Sequence, residues 1–300
     1  VPENFEGTTL YLIVDVKKKM KISIITPSFN SEEYILNNLK SVHLDQKGDF
    51  SVEQIIVDGG SKDKTIDIIN TFRDSHKADI KLIVGKDKSM YDAINKGIKA
   101  MSGDIWACLN TDDEYNPEIF SVIVEEFRKN KDVDVIYGYI DNVDENGKFQ
   151  YTSYLPQFDL DFLVLSRGCR CINQPSTFLK KTVVERVGYF DLTYRYASDY
   201  DYLIRVGNQC NVKRLNRSFT KFMVRGSSLS SGTGSKTTLE KEAETISKFY
   251  IDKYGIKPKN LYIQYLGFCL NHIRPNNLPY ILKKLPKITI LVLTLKIFRY

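Results

Sequence analysis

An α/β fold, with a mostly parallel sheet covered by helices on both faces, follows from two features of this 300-residue sequence. Buried-type apolar runs alternate with segments of helical periodicity through the first half, the pattern of successive strand–helix–strand units. The composition, 42% hydrophobic and 27% charged, is sufficient for a sizeable core in one large domain or one domain with an appendage. "KISIITPSFN" reads as a buried strand ending at Pro27, and "SEEYILNNLKSV" as a helix capped by Ser31 with apolar residues at helical spacing. "VEQIIVDGGS", "DIKLIVG" and "GDIWACLN" are the next strands, separated by the helices "KDKTIDIINTFRD" and "MYDAINKGIKAM". After residue 115 the pattern changes to a helix in "PEIFSVIVEEFRKN", a strand in "VDVIYGYIDNV" and a hairpin arm after "DENGK". "RYASDYDYLIRVGNQ" is a polar loop entering a helix, and "RGSSLSSGTGSKTT" a Gly/Ser-rich loop of the kind that moves.

The net charge of +6 is unevenly spread. Residues 253–300 hold nine Lys or Arg and no Asp or Glu, which leaves 34 basic against 37 acidic residues in 1–252, a balance of −3. Basicity therefore belongs to the C-terminal tail, and with no RNP-like aromatic motif or zinc finger a nucleic-acid partner is not expected. The tail's "ITILVLTLKIF", behind "LKKLPK", would as a helix cover roughly half of a ~30 Å hydrocarbon core. It is too short to span alone. Lysines beside apolar residues suit peripheral contact with an anionic leaflet, the alternative being packing on the main domain or on a second subunit. Residues 1–19 lack the pattern of a signal peptide and read as a leader or extension before Met20. Five cysteines, with one close pair and no zinc spacing, point to a reducing compartment, and three dispersed histidines do not suggest histidine chemistry.

Ligands of open α/β sheets bind outside the carboxyl ends of the strands. Those ends carry Pro27 to Asn30, Asp58 to Ser61, Gly85 to Asp87 and Asn110 to Asp113. Asp112 and Asp113 thus stand side by side where a ligand would lie. Adjacent carboxylates repel, so the pair is either solvated in a turn or neutralised by a cation. Farther along, "ASDYD" offers Asp199 and Asp201, whose two-residue step sends them in different directions, so that one of them faces a site. No G-x-G-x-x-G follows a strand, which argues against a dinucleotide cofactor.

"ISIITPSFNSEEYI", "IIVDGGSKDKT", "YDAINKGIKAMSGDIWACLNTDD" and "VGYFDLTYRYASDYDYLIRV", in order over residues 20 to 235, together resemble family 2 of the inverting nucleotide-sugar glycosyltransferases, of envelope or exopolysaccharide type, with the GT-A fold. The resemblance implies metal-dependent transfer from a nucleotide sugar, a UDP-sugar, to a hydroxyl of a glycan or lipid-linked acceptor, in the cytoplasm at the inner face of the membrane. It places Mn2+ or Mg2+ at Asp113, with Asp112 facing the ribose or the metal, and Asn110 where many relatives have a further Asp. Pro27, Phe29 and Glu32 then line the nucleotide pocket, and Asp58 meets the base edge, next to Gly59 where many relatives have Asp. Asp87 and Lys88 touch the ribose or donor sugar, while Asp92 and Asn95 cap and brace their helix or join them. Asp199 is the general base, and Asp201 binds helix-end amides or Arg205. Asn173 and Gln174 stand on the acceptor side, where relatives often have His-Gln, and Arg225 adds a cation in a lid over the diphosphate. The implied organisation is a donor-binding half at 20–115, an acceptor-binding half at 116–240 and the appendage at 241–300. The alternative is a non-catalytic nucleotide-sugar binder or assembly scaffold, which predicts binding without turnover. The sequence leaves the oligomeric state open.

Overall fold

The computed structural model describes residues 19–167, 171–224 and 233–256. Residues 1–18, Arg225 and the tail from 257 lie outside the described residues. The first half follows the expected alternation: β1 (Met20–Ser28), α1 (Ile35–His43), β2 (Phe50–Asp58), α2 (Thr65–His76), β3 (Ile80–Val84), α3 (Met90–Ala100) and β4 (Ile105–Cys108). Then come β5 (Glu114–Tyr115), α4 (Ile119–Lys129), β6 (Val135–Val143), β7 (Phe149–Ser153), α5 (Leu160–Ser166) and a 3-10 turn at Gln174–Ser176. β8 (Thr177–Lys180), α6 (Thr182–Val187), α7 (Ser198–Gln209), β9 (Val212–Met223) and α8 (Thr233–Tyr254) complete the described chain.

One sheet runs β3-β2-β1-β4-β8-β6-β9-β5, with β7 added on β6. β3, β2, β1 and β4 are parallel throughout. β8 is antiparallel to both β4 and β6, β9 is parallel to β6, β5 is antiparallel to β9 and β7 to β6, so the second half makes the sheet mixed. Strand alternation serves two cores. Ile25, Trp106 and Cys108 face α3 and α7, while Ile24, Ile105 and Ala107 face Phe120, Ile123 and Phe127 of α4. Burial on both faces is why β1 reads as a continuous apolar run. α3 lies tight on β1 because Gly97 has no side chain; a Cβ there would come within 2.4 Å of Ile25 Cγ2.

Three boundaries differ from the sequence reading. α1 starts at Ile35 rather than at Ser31, because the Ser31 carbonyl takes the Tyr34 and Ile35 N–H groups in a preceding turn and its hydroxyl bonds Phe29 O instead of capping the helix. Residues 233–238, expected in the Gly/Ser loop, open α8. α8 also runs through the expected boundary at 240/241, and its Ala243, Ile246 and Tyr250 are buried in the main core. Among the described residues no helix is long and apolar enough to cross a membrane.

Candidate active site

The parallel strands bring their carboxyl ends together in register. Gly59 N donates to Ser28 O at 2.8 Å and Gly85 N to Asp58 O at 2.9 Å, so the chain leaves β1, β2 and β3 along one rim. Pro27 is half-buried within β1 opposite Val57, and Phe29, just beyond, is 62% exposed, an apolar ring held out at the rim. Glu32 is exposed and tied to the start of α2: its N–H donates to Asp63 and its carboxylate accepts from Lys64 N.

Asp58 has a different role from the one expected at the base edge. It is fully buried, and its oxygens accept from Gly60 N, Ser61 N, Ser28 Oγ and Ser61 Oγ at 2.6–3.0 Å. Four bonds use the whole acceptor capacity of a carboxylate, so Asp58 clips the loop shut instead of facing a ligand. Asp87 is held by Lys96 Nζ at 2.5 Å, and Lys88 is exposed. Asp92 accepts from Lys88 N while its own N–H meets the hydroxyl of Ser89, the N-cap of α3. The Lys88 N–H and the Lys96 charge keep the Asp92 carboxyl below its ordinary range. Asn95 exchanges two hydrogen bonds with the backbone of Phe190, bracing the chain ahead of α7.

Past β4 the chain turns at Asn110–Asp113, with Asp113 N donating to Asn110 O. Asn38, a buried amide on α1, fixes that turn by donating to both Asn110 O (2.8 Å) and Asp113 O (3.0 Å). Asp113 is 1% exposed and accepts from Met223 N of β9; Asp112 is half-buried. The amide oxygen of Asn110 is buried without a hydrogen-bond partner among the described residues. Asp112, Asp113 and this amide oxygen, within four consecutive residues, are hard oxygen donors of the kind that suits a divalent cation keeping water or phosphate oxygens as its other ligands. Among the described residues no three His, Cys, Asp or Glu side chains gather into an all-protein metal cage.

Asp199 lies in the first turn of α7, 8% exposed. Its Oδ1 accepts from Tyr200 N at 2.9 Å and from the Tyr91 hydroxyl of α3 at 3.1 Å. The Tyr91 ring stacks on Phe190, which stacks on Tyr202. The loop leading into α7 is held from behind by Glu242 of α8, whose carboxylate accepts from Arg195 N, Tyr196 N and Ala197 N at 2.8–2.9 Å. Asp201 points away into an ion pair with Arg205 at 2.7 Å and a hydrogen bond from Tyr250. Gln174, on the 3-10 turn, lines a small cavity beside Asp199 together with Cys108, Trp106 and Tyr202; Asn173 precedes it and binds Thr177 Oγ1 through its carbonyl. Burial, reinforced by the charges of Asp113 and Asp199, pushes the Cys108 thiol far up, so Cys108 is an inert neighbour of both acids. The half-buried His43 is held near pKa 4 by desolvation and bonds Gln54 away from these acids.

Sequence reasoning missed Asn38, Tyr91 and Glu242. A polar residue on the buried stripe of Ile35, Leu39 and Val42 is a signal for Asn38. Tyr91 reads as an ordinary core position of an amphipathic helix, and Glu242 falls beyond the expected domain boundary.

Residues 23–188 match the family model Glycosyl transferase family 2. A PGL/p-HBAD biosynthesis glycosyltransferase of Mycobacterium bovis is 29% identical over 184 residues, 61% of this chain and 68% of that protein. An uncharacterized glycosyltransferase of Nostoc sp. is 28% identical over 251 residues, 81% of this chain and 74% of that one. Among solved structures, S. aureus TarS 1–349 in complex with UDP-GlcNAc superposes with a TM-score of 0.57 at 19% identity, over 90% of this chain and 80% of that chain. The chain spans 49% of a longer TarS structure. At this identity the likeness to TarS shows the fold.

Proposed function

The chain belongs to glycosyl transferase family 2, and we propose that it moves a sugar from a UDP-sugar to a hydroxyl of a cell-envelope glycan or lipid-linked acceptor, with inversion and with a divalent cation. The observation that carries this reading is that two acidic sites come close to one residue, Cys108: the Asn110–Asp113 turn, whose Asp113 acts on its thiol, and Asp199, which lines the same small cavity. A nucleotide sugar needs one site for its diphosphate and another for the incoming hydroxyl, and the UDP-GlcNAc complex of the structurally similar TarS supports a UDP-sugar as donor.

Asp199 takes the proton of the acceptor hydroxyl. The oxygen attacks the anomeric carbon as the bond to the diphosphate oxygen breaks, and that oxygen leaves with the electron pair as UDP. Asp199 ends protonated. Asp113, with Asp112 and the Asn110 amide oxygen, would hold Mg2+ or Mn2+, which when bound neutralises the charge that grows on the diphosphate. Gln174 stands on the acceptor side of Asp199. The basic, apolar tail suits an acceptor presented at an anionic membrane surface.

Calorimetric titration of UDP and GDP, each with and without Mn2+, tests the donor and the metal together. Mn2+-dependent binding of UDP is expected, lost in Asp113→Ala. Tight binding that ignores Mn2+ would remove the metal from the mechanism, and binding of GDP alone would overturn the uridine donor.

A further inference from the structure

Asp58 is the carboxylate expected to read the base, and it is fully buried with all four acceptor positions used inside the chain. The next rim residue, Gly59, has no side chain. The point where its Cβ would stand is 3.2 Å from Phe29 Cδ2 and 3.6 Å from Asp87 Oδ2. Asp87 is steered there by α3: Lys96 Nζ holds its other oxygen, Oδ1, at 2.5 Å and is itself fixed by Lys86 O and by Asp92. The strand order β3-β2-β1 sets these three residues side by side, Asp87 after β3, Gly59 after β2 and Phe29 after β1.

Resting on the reading of this rim as the donor site, we propose that Asp87, not Asp58, selects the nucleotide base. The base stacks on the exposed Phe29 ring with its edge passing the bare Gly59, and Asp87 Oδ2 accepts the ring N3–H of uracil. Cytosine presents a lone pair at the same ring position and is repelled by the carboxylate. Asp87 thereby supplies from β3 the acceptor that a side chain at 59 cannot. A carboxylate at 59 would need the space now shared by Phe29 and Asp87.

The test is titration of UDP and CDP into the whole protein with Mn2+ present, for the wild type, Asp87→Asn, Asp87→Ala and Asp58→Asn, with a thermal melt of each. The wild type is expected to prefer UDP by on the order of tenfold or more, the effect of one hydrogen bond to a charged acceptor. Asp87→Asn, whose amide turns either its oxygen or its NH2 to the ligand, is expected to bring the two affinities to within about threefold, and Asp87→Ala to weaken UDP without weakening CDP. Asp58→Asn is expected to lower the melting temperature and keep the preference for UDP. An unchanged UDP/CDP ratio in Asp87→Asn, or a ratio that collapses in Asp58→Asn alone, overturns the assignment while leaving the donor site intact. A wild type that binds neither nucleotide overturns the donor reading itself, and the assignment with it.

Discussion

Asp199 takes part in the chemistry only if its carboxylate is held still, and the residue that holds it belongs to another helix. Tyr91 Oη donates to Asp199 Oδ1 and also lies 3.1 Å from Tyr196 O, so one hydroxyl ties α3 to both Asp199 and the loop before it. Asp199→Asn keeps the shape and removes the base; kcat should fall by about 10²–10⁴-fold with UDP binding nearly unchanged. Undiminished turnover would falsify the assignment. Tyr91→Phe keeps the stack on Phe190 and removes only the hydroxyl, so kcat should drop roughly tenfold at constant donor KM. A lower melting temperature with kcat intact would mean that Tyr91 is only a core residue. Asp112, Asp113 and Asp199 could be singled out in the sequence because each stands in a short polar segment beside an apolar run. Tyr91 could not, because its partner is 108 residues away and nothing in "MYDAINKGIKAM" separates a phenol bonded to a carboxylate from one filling a core.

Elements were legible where their signal is local. β1 to β4 and the helices between them are each long or apolar enough to show their own periodicity, and they appear where expected. β5 has two residues, β8 has four, and β9 is largely half-buried or exposed, so these strands exist through the neighbours they pair with. β8 is the link that turns a parallel half-sheet into one continuous mixed sheet. The parallel half has its own fastening in Glu53 of β2, which bonds Ser23 of β1, Lys21, and both the N–H and the hydroxyl of Ser102 just before β4. Burial alone would raise its pKa, but the bonds from Lys21, Ser23 and Ser102 outweigh it and bring the carboxyl down to about 2. A depressed carboxyl stabilises the fold above its unfolded pKa, and the contribution is lost as the pH falls through the folded value. Glu53→Gln should therefore cost roughly 2 kcal/mol at pH 7, and the difference from wild type should shrink as the pH is lowered from about 4.5 towards 2. Denaturant midpoints across that range measure it; a penalty independent of pH would assign Glu53 a purely steric role.

At the scale of the whole molecule the question is where the catalytic domain ends. The resemblance implied a boundary at 240 and the basic, acid-free stretch starts only at 253, but charge reports solvent and partners and says little about packing. α8 continues to Tyr254 and packs behind the segment that carries Asp199: Glu242 holds the loop before α7, Ser247 bonds Val164 O of α5, and Tyr250 reaches Asp201. Ile246 and Tyr250, buried to 0% and 3% exposure, each contribute roughly 2 kcal/mol by area alone. A chain ending at 256 should thus melt close to the whole chain, whereas one ending at 240 should melt about 10 °C lower and lose transfer, since the loop carrying Asp199 has no anchor. The same pair separates the tail from the enzyme. The whole chain should sediment with anionic vesicles and the 256 chain should not, with UDP binding intact in both. If the 256 chain still sediments, the membrane contact belongs to the folded domain, and if the 240 chain melts like the whole, α8 is an attachment and the base is positioned by α3 and α7 alone.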